Sequence, residues 1–329
     1  MAKIEDVAQK AGVSVTTVSR VLNNRGYISQ KTRDKVSQAM RELRYQPNEM
    51  ARALFRRKSN MIGLIIPSVA HPFFGELAYH LEDCAGQRGY RLLLCNSNRD
   101  VAKERKYVEM LKKNQVDAIV MGSSVLEIEH YLHLDLPIVS FDRYVSDKIP
   151  IITSDNVGGG MLAARLLIEK GCRKPACVYR GVDGPHHQAL LAHGRIRGFE
   201  EAMSEAGIEP VCRELPSGDT IPNGNDEEIE RFLREHPEVD GVFASSDLIA
   251  VEILRACQRL GKRVPQEMKL IGYDDVPLAS LILPGLTTIR QPIREMCERT
   301  VDMIVKQIDG QQVAGIHSFP VDLVERETT

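Results

Sequence analysis

The sequence predicts two folded parts of different class: a small all-α headpiece over residues 1–46 and a two-lobed parallel α/β domain over residues 60–329, joined by residues 47–59. Three observations carry that prediction. Apolar residues in the first 45 positions recur at helical spacing, with no strand-like run among them. From Met61 onward short apolar runs alternate with amphipathic stretches, the order of a parallel sheet, and the series occurs twice. Charge is also divided. Residues 1–60 hold 13 Lys and Arg against 5 Asp and Glu, a balance of +8, whereas the rest hold 30 against 40, a balance of −10. A chain of 329 residues exceeds one ordinary core, so separate folding units are expected.

In the headpiece, Ile4, Val7, Ala8 and Ala11 form one stripe of a first helix that Gly12 ends. Ser14 is placed to N-cap a second helix, with Val18, Val21 and Leu22 inward and Val15, Thr16, Thr17, Ser19, Arg20 and Asn23 outward. A third helix opens at Ser29 and buries Val36, Ala39, Met40 and Leu43. Helix, glycine-containing turn, helix is a DNA-reading arrangement whose second helix enters the major groove by its N-terminal part. Arg20 can donate two hydrogen bonds to guanine O6 and N7, Val15 can pack on a thymine methyl, and Thr16 stands beside them. Thr17, Ser19 and Asn23 are expected on phosphates. The basic balance fits such a polyanion.

In the larger part, MIGLIIP, YRLLLC, VDAIVMG and PIVSFD read as strands, with helices between them ending at Gly89 and Gln115. A second series follows: helix 157–171, KPACVYRG, helices 189–207 and 226–237, DGVFASSD, helix 248–261 and MKLIGYDD. The tail, with LTTIRQP, helix 293–309 and FPVDLVER, is too short for a third lobe and is expected to cross back. One lobe would then hold 60–157 and 288–317, the other 158–287 and 318–329. Ligands of open parallel sheets bind outside the carboxyl ends of the strands, here the crevice between lobes.

Several chemistries are not supported by the motifs. Gly158, Gly159 and Gly160 lack the lysine and Ser/Thr of a phosphate loop, so close helix packing is expected. No order of residues suggests a catalytic constellation or a bound cofactor. Seven scattered cysteines predict reduced, buried thiols, and the Cys172 and Cys177 spacing does not suit zinc, so no metal is expected. His186, His187 and His193 are suited to an acid or phosphate group or to the surface, and the surface is expected. No run of about 18 apolar residues exists, and the N-terminus is charged; a cytoplasmic protein without membrane association is expected.

The run IEDVAQKAGVSVTTVSRVLNN, then ISQKTRDKV, then YQPNEMARAL, resembles the headpiece of the lactose and galactose repressor (LacI/GalR) family across the first 60 residues. The resemblance implies that Pro47 to Arg57 is a hinge that becomes helical on operator DNA, with Leu54 wedged into the minor groove. Asn48 can cap such a helix, with Arg52, Arg56 and Arg57 left for phosphates. An isolated helix of about nine residues is unstable in water, which suits ordering on DNA.

PFFGELA, FDR, GRIRGF, ASSD, GYDD and TTIRQP resemble, in order and spacing, the periplasmic sugar-binding proteins and the core of the same family, above all its ribose operon repressors. This likeness implies a periplasmic-binding-protein-like effector domain. Phe73 and Phe74 would stack on a sugar, and Asp142, Arg143, Arg195, Asp274 and Gln291 would bond its hydroxyls. His71 and Ser246 replace two asparagines of ribose-type pockets, which leaves the sugar open. The implied protein is a homodimeric repressor of a carbohydrate operon, bound to palindromic double-stranded DNA and controlled by a small sugar or sugar phosphate. The alternative is a sugar-processing enzyme with a DNA-binding appendage.

Overall fold

A computed structural model describes residues 2–23, 25–46, 58–113, 116–122, 131, 134–181, 191–216 and 226–329. The chain forms two compact units, Met1–Ser59 and Asn60–Thr329.

The first unit is three helices: α1 (Ile4–Ala11), α2 (Val15–Leu22) and α3 (Gln30–Glu42). Gly12 ends α1 at φ 67°, a left-handed conformation that glycine adopts without penalty. Ser14 caps α2 by accepting from the Thr17 N–H at 3.2 Å, and Ser29 caps α3 by accepting from Thr32 at 3.3 Å. Val7, Ala8, Ala11, Val18, Val36 and Ala39 make the core, with Val21, Leu22, Met40 and Leu43 half-buried at its edge. The expected centre is small, and its larger side chains sit on the rim.

The second unit begins with β1 (Met61–Ile66), α4 (Pro72–Gln87), β2 (Arg91–Asn96), α5 (Val101–Lys113), β3 (Ala118–Met121), β4 (Ile138–Phe141) and β5 (Ile151–Ser154). It continues with α6 (Asn156–Glu169), β6 (Pro175–Arg180), α7 (Gly194–Glu205), β7 (Val211–Leu215), α8 (Asp226–Glu235), β8 (Gly241–Ala244), α9 (Asp247–Leu260) and β9 (Lys269–Asp274). The tail holds α10 (Leu278–Leu281), β10 (Thr287–Arg290), α11 (Ile293–Ile308), β11 (Ile316–Phe319) and β12 (Asp322–Val324). One sheet runs β11-β5-β4-β3-β1-β2, wholly parallel; the other runs β12-β10-β9-β8-β6-β7, with only β12 antiparallel. The central strands are buried on both faces, which explains their unbroken apolar runs.

The tail crosses between the sheets, but not at the expected residues. Thr287–Arg290 is in the second sheet and Ile316–Phe319 in the first. Positions 288–290 and 318–319 therefore sit in the opposite lobe to the one the sequence suggested. The cause is pairing: β10 lies in register along β9 from Thr287, and β11 stays with β5 through Phe319.

The glycines of α6 act in packing. A Cβ on Gly160 would run into the Arg195 carbonyl oxygen, and one on Gly198 into that of Val157, so α6 and α7 touch backbone to backbone. This contact brings Asn156 and Arg195 together at the helix starts.

Candidate functional site

On the headpiece, Val15, Thr16 and Arg20 are exposed, Val15 at 40%. Thr17, Ser19 and Asn23 are half-buried and already bonded within the unit. The Thr17 hydroxyl lies 2.9 Å from that of Ser14, and Asn23 Nδ2 donates to the Ser19 carbonyl at 2.8 Å. The helix thus divides into a free reading edge, 15, 16 and 20, and three groups that also hold its ends. Tyr27 is 98% exposed in the turn before α3; sequence reasoning passed it over because a lone turn tyrosine has no periodic neighbour. Arg52 and Leu54, with the rest of 47–57, lie outside the described residues.

The crevice between the two sheets encloses a cavity of about 220 Å³. Asp142 follows β4 and Asp274 ends β9, as the strand-end rule expects, and Arg195 sits in the first turn of α7. Asp142 and Asp274 take positive φ, 55° and 116°, a strained backbone of the kind that clusters at functional sites. Arg195 is the hub. Its Nε donates to Asn156 Oδ1 at 2.8 Å, its Nη1 to the Ser245 carbonyl at 2.8 Å and to Asp274 Oδ1 at 3.3 Å. Its Nη2 is 3.7 Å from Asp142 Oδ2, and its guanidinium lies 3.7 Å from the Tyr273 ring centre. Asp142 also accepts from Thr153 at 2.5 Å and from Asn156 at 3.1 Å.

Burial dominates the electrostatics. It pushes Asp274 up to about 7, against the pull of Arg195 and Gln291. Asp247 is raised well above the carboxylate range by burial and by Asp274, although Thr288 and the Val276 N–H bond it. For Arg195 burial works against the charge, but Asp274, Tyr273 and Asp142 outweigh it and raise its pKa. Arg143 is lowered by burial, with the charge of Glu104 opposing; Glu104 is fully buried and accepts from Tyr131.

Of the residues expected here, His71, Phe73, Phe74, Asp142, Arg143, Arg195, Ser246 and Asp274 line the cavity. Phe73 and Phe74 meet edge to face at 5.2 Å, one rooted in the core and one half-exposed to the cavity. Ser246 also caps α9 by accepting from the Ile249 N–H. Gln291 does not line the cavity. It is buried beside Asp274 and donates to its Oδ1 at 2.7 Å. His193 lines the cavity instead of the open surface, because the turn Leu191–His193 leads into α7; His186 and His187 lie outside the described residues.

Arg99, Tyr179 and Arg180 also line it and were missed, since each follows or ends a strand without a motif. Among the described residues no cluster suited to a metal occurs, and no helix is long and apolar enough to cross a membrane. Six cysteines are buried as expected; Cys212 is exposed, on the outermost strand of its sheet.

Residues 3–48 match the bacterial regulatory proteins of the lacI family, and residues 164–329 match the periplasmic binding protein-like domain. A ribose operon repressor of Halalkalibacterium halodurans is 40% identical over all of this chain and 97% of its own length. The fold is similar to a crystal structure of a periplasmic binding protein/LacI transcriptional regulator from Alkaliphilus metalliredigens complexed with D-xylulofuranose. That match has 32% identity and a TM-score of 0.75, covering 82% of this chain and 99% of the other. It is also similar to the lac repressor dimer bound to operator and the anti-inducer ONPF. Identity there is 27% and the TM-score 0.85, over 99% and 98% of the chains.

Proposed function

From the premise that this chain belongs to the lacI family of bacterial regulatory proteins, we propose that it is a homodimeric repressor of a carbohydrate-utilisation operon. It binds palindromic double-stranded operator DNA, and a small sugar or sugar phosphate in the crevice sets how firmly. One observation carries the reading: a basic trihelical unit with a free edge at Val15, Thr16 and Arg20 is joined in one chain to a crevice whose charged planar groups converge on Arg195. Planar guanidinium and carboxylate groups bond vicinal hydroxyls in pairs, and Phe73 and Phe74 offer apolar faces for a sugar ring.

Two copies related by a two-fold would put two α2 helices in successive major grooves. Residues 47–59 serve as the hinge, Leu54 as its wedge and Arg52 as a phosphate contact. The lobes on either side of the crevice, roughly 60–157 and 158–287 with the tail shared between them, close or rotate on the effector and change the hinge spacing. A coupling of about 1 to 3 kcal/mol between the two sites is the usual scale. The protein acts in the cytoplasm and does no chemistry on its ligand; similarity to operon repressors and the absence of any ordered catalytic motif support this over a sugar-processing enzyme.

The test is operator binding at several salt concentrations. A salt-sensitive preference for an inverted repeat over random duplex, changed by a sugar that is recovered unaltered, is expected. Equal affinity for all duplexes would overturn the repressor reading, and turnover of the sugar would favour the enzyme.

A further inference from the structure

Among the described residues the charged groups lining the crevice fall at two ends: carboxylates stand with Arg195 and Arg143 at one, and guanidiniums with no lining carboxylate at the other, as sheet order shows. Asp142 and Asp274 stand at β4 and β9, toward the side of each sheet that holds the tail strands β11 and β10. Arg99, just beyond β2, and Arg180, at the end of β6, stand toward the far edges of the same two sheets. In the first sheet β4 and β2 are separated by three strand steps, and in the second β9 and β6 by two, which at about 4.8 Å a step is roughly 10 to 14 Å along the crevice. All four residues line the one cavity, with His71 and His193.

The carboxylate end already holds what a neutral sugar needs. Asp142 and Asp274 can accept from hydroxyls there, and Arg195, which they brace, can donate to them. A second pair of guanidiniums at the other end exceeds that need. Arg180 is oriented from behind by Glu252, whose Oε2 is 3.4 Å from its Nη2 and which does not line the cavity. Guanidinium forks match phosphate and carboxylate oxygens two at a time, and drawing them toward a closed crevice is favourable when an anion meets them.

We propose that the effector is a phosphorylated sugar, its hydroxyls at the Asp142, Arg195 and Asp274 end and its phosphate at Arg99 and Arg180. This rests on the crevice being the effector site and narrows the ligand to an anion.

The experiment pairs each sugar with its phosphate monoester, D-ribose with D-ribose 5-phosphate and D-fructose with D-fructose 6-phosphate, by calorimetry and thermal shift on the full chain. At least one phosphate binds ten times or more tighter than its parent sugar, and the preference shrinks as salt rises. Arg99→Gln, and separately Arg180→Gln with Glu252→Gln so that no carboxylate is left alone, cut that preference to within about twofold while circular dichroism shows a folded chain. A parent sugar that binds as tightly as its phosphate, or a preference unchanged in both variants, overturns the phosphate assignment. If that parent sugar also releases operator, the repressor reading stands without it. Silence from every sugar and phosphate overturns both.

Discussion

The headpiece and the crevice read their ligands by opposite means. In α2 the groups proposed to meet DNA lie outside the core, which among the described residues has six buried members, and the exposed Arg20 is not one of them. In the crevice the groups proposed to read the effector are themselves the interior: Arg195 and Asp274 are buried, and Arg195 joins α6, α7 and the ends of β4, β8 and β9. Recognition at a free surface can therefore be altered without touching stability, whereas recognition by buried charge cannot.

The strongest way to break that contrast is Arg195→Met. It leaves the buried Asp274 and the part-buried Asp142 without their cation, and removing one partner of a buried pair costs about 3 to 5 kcal/mol. Denaturant unfolding of the larger domain reads this directly, together with loss of any sugar response. A variant as stable as the parent would show that Arg195 is a surface-like reader after all. Arg20→Ala is the counterpart. It is expected to lose roughly 1 to 3 kcal/mol of discrimination at one base pair per half-site with no change in melting temperature. Equal loss on every sequence would make Arg20 a phosphate contact.

Protonation sharpens the comparison further. Asp274 has a folded pKa of about 7 against an ordinary 3.8, so the folded chain holds a proton that the unfolded chain releases between those values. Its stabilising effect is complete below about 4 and is lost as pH rises through 7, at up to about 1.4 kcal/mol per pH unit. Asp274→Asn is expected to flatten the fall in stability between pH 5 and 7. Hydroxyls donating to this carboxylate favour its ionised form, so an effector stabilises the parent more at pH 8 than at pH 5. An identical slope in parent and variant would place the proton elsewhere.

How much was legible follows the same division. Helix caps at Ser14 and Ser29, the stop at Gly12 and the packing glycines of α6 have local causes, and their sequence signatures match what the chain does. Asp142, Arg195 and Asp274 were named by the likeness of FDR, GRIRGF and GYDD to the sugar-binding core, and all three line the cavity at the crevice that the strand-end rule pointed to. Arg99, Arg180 and His193 carry no such mark: whether a residue just past a strand turns into the crevice depends on backbone such as the φ of 55° at Arg99, which its side chain does not announce. Gln291 was expected to line the crevice and does not, because adjacency to the site does not say which of two neighbours, Gln291 or Asp274, faces the cavity. The crossings at 288 and 318 were misjudged because strand register is set by partners far away in the chain.

The smallest predicted effect tests whether the headpiece's two roles separate as cleanly as Arg20 suggests. Ser14 caps α2 through the Thr17 N–H and shares a hydrogen bond with the Thr17 hydroxyl, so the cap is one bond away from a residue expected on a phosphate. Ser14→Ala should cost about 1 kcal/mol of headpiece stability, the usual loss for an N-cap serine. With its partner gone the Thr17 hydroxyl is free to turn outward, and operator affinity measured well below the melting temperature should change by no more than about threefold. A loss on DNA that far exceeds the loss in stability would mean that the cap positions the reading edge itself, and that the surface of α2 is no more independent of its framework than the crevice is.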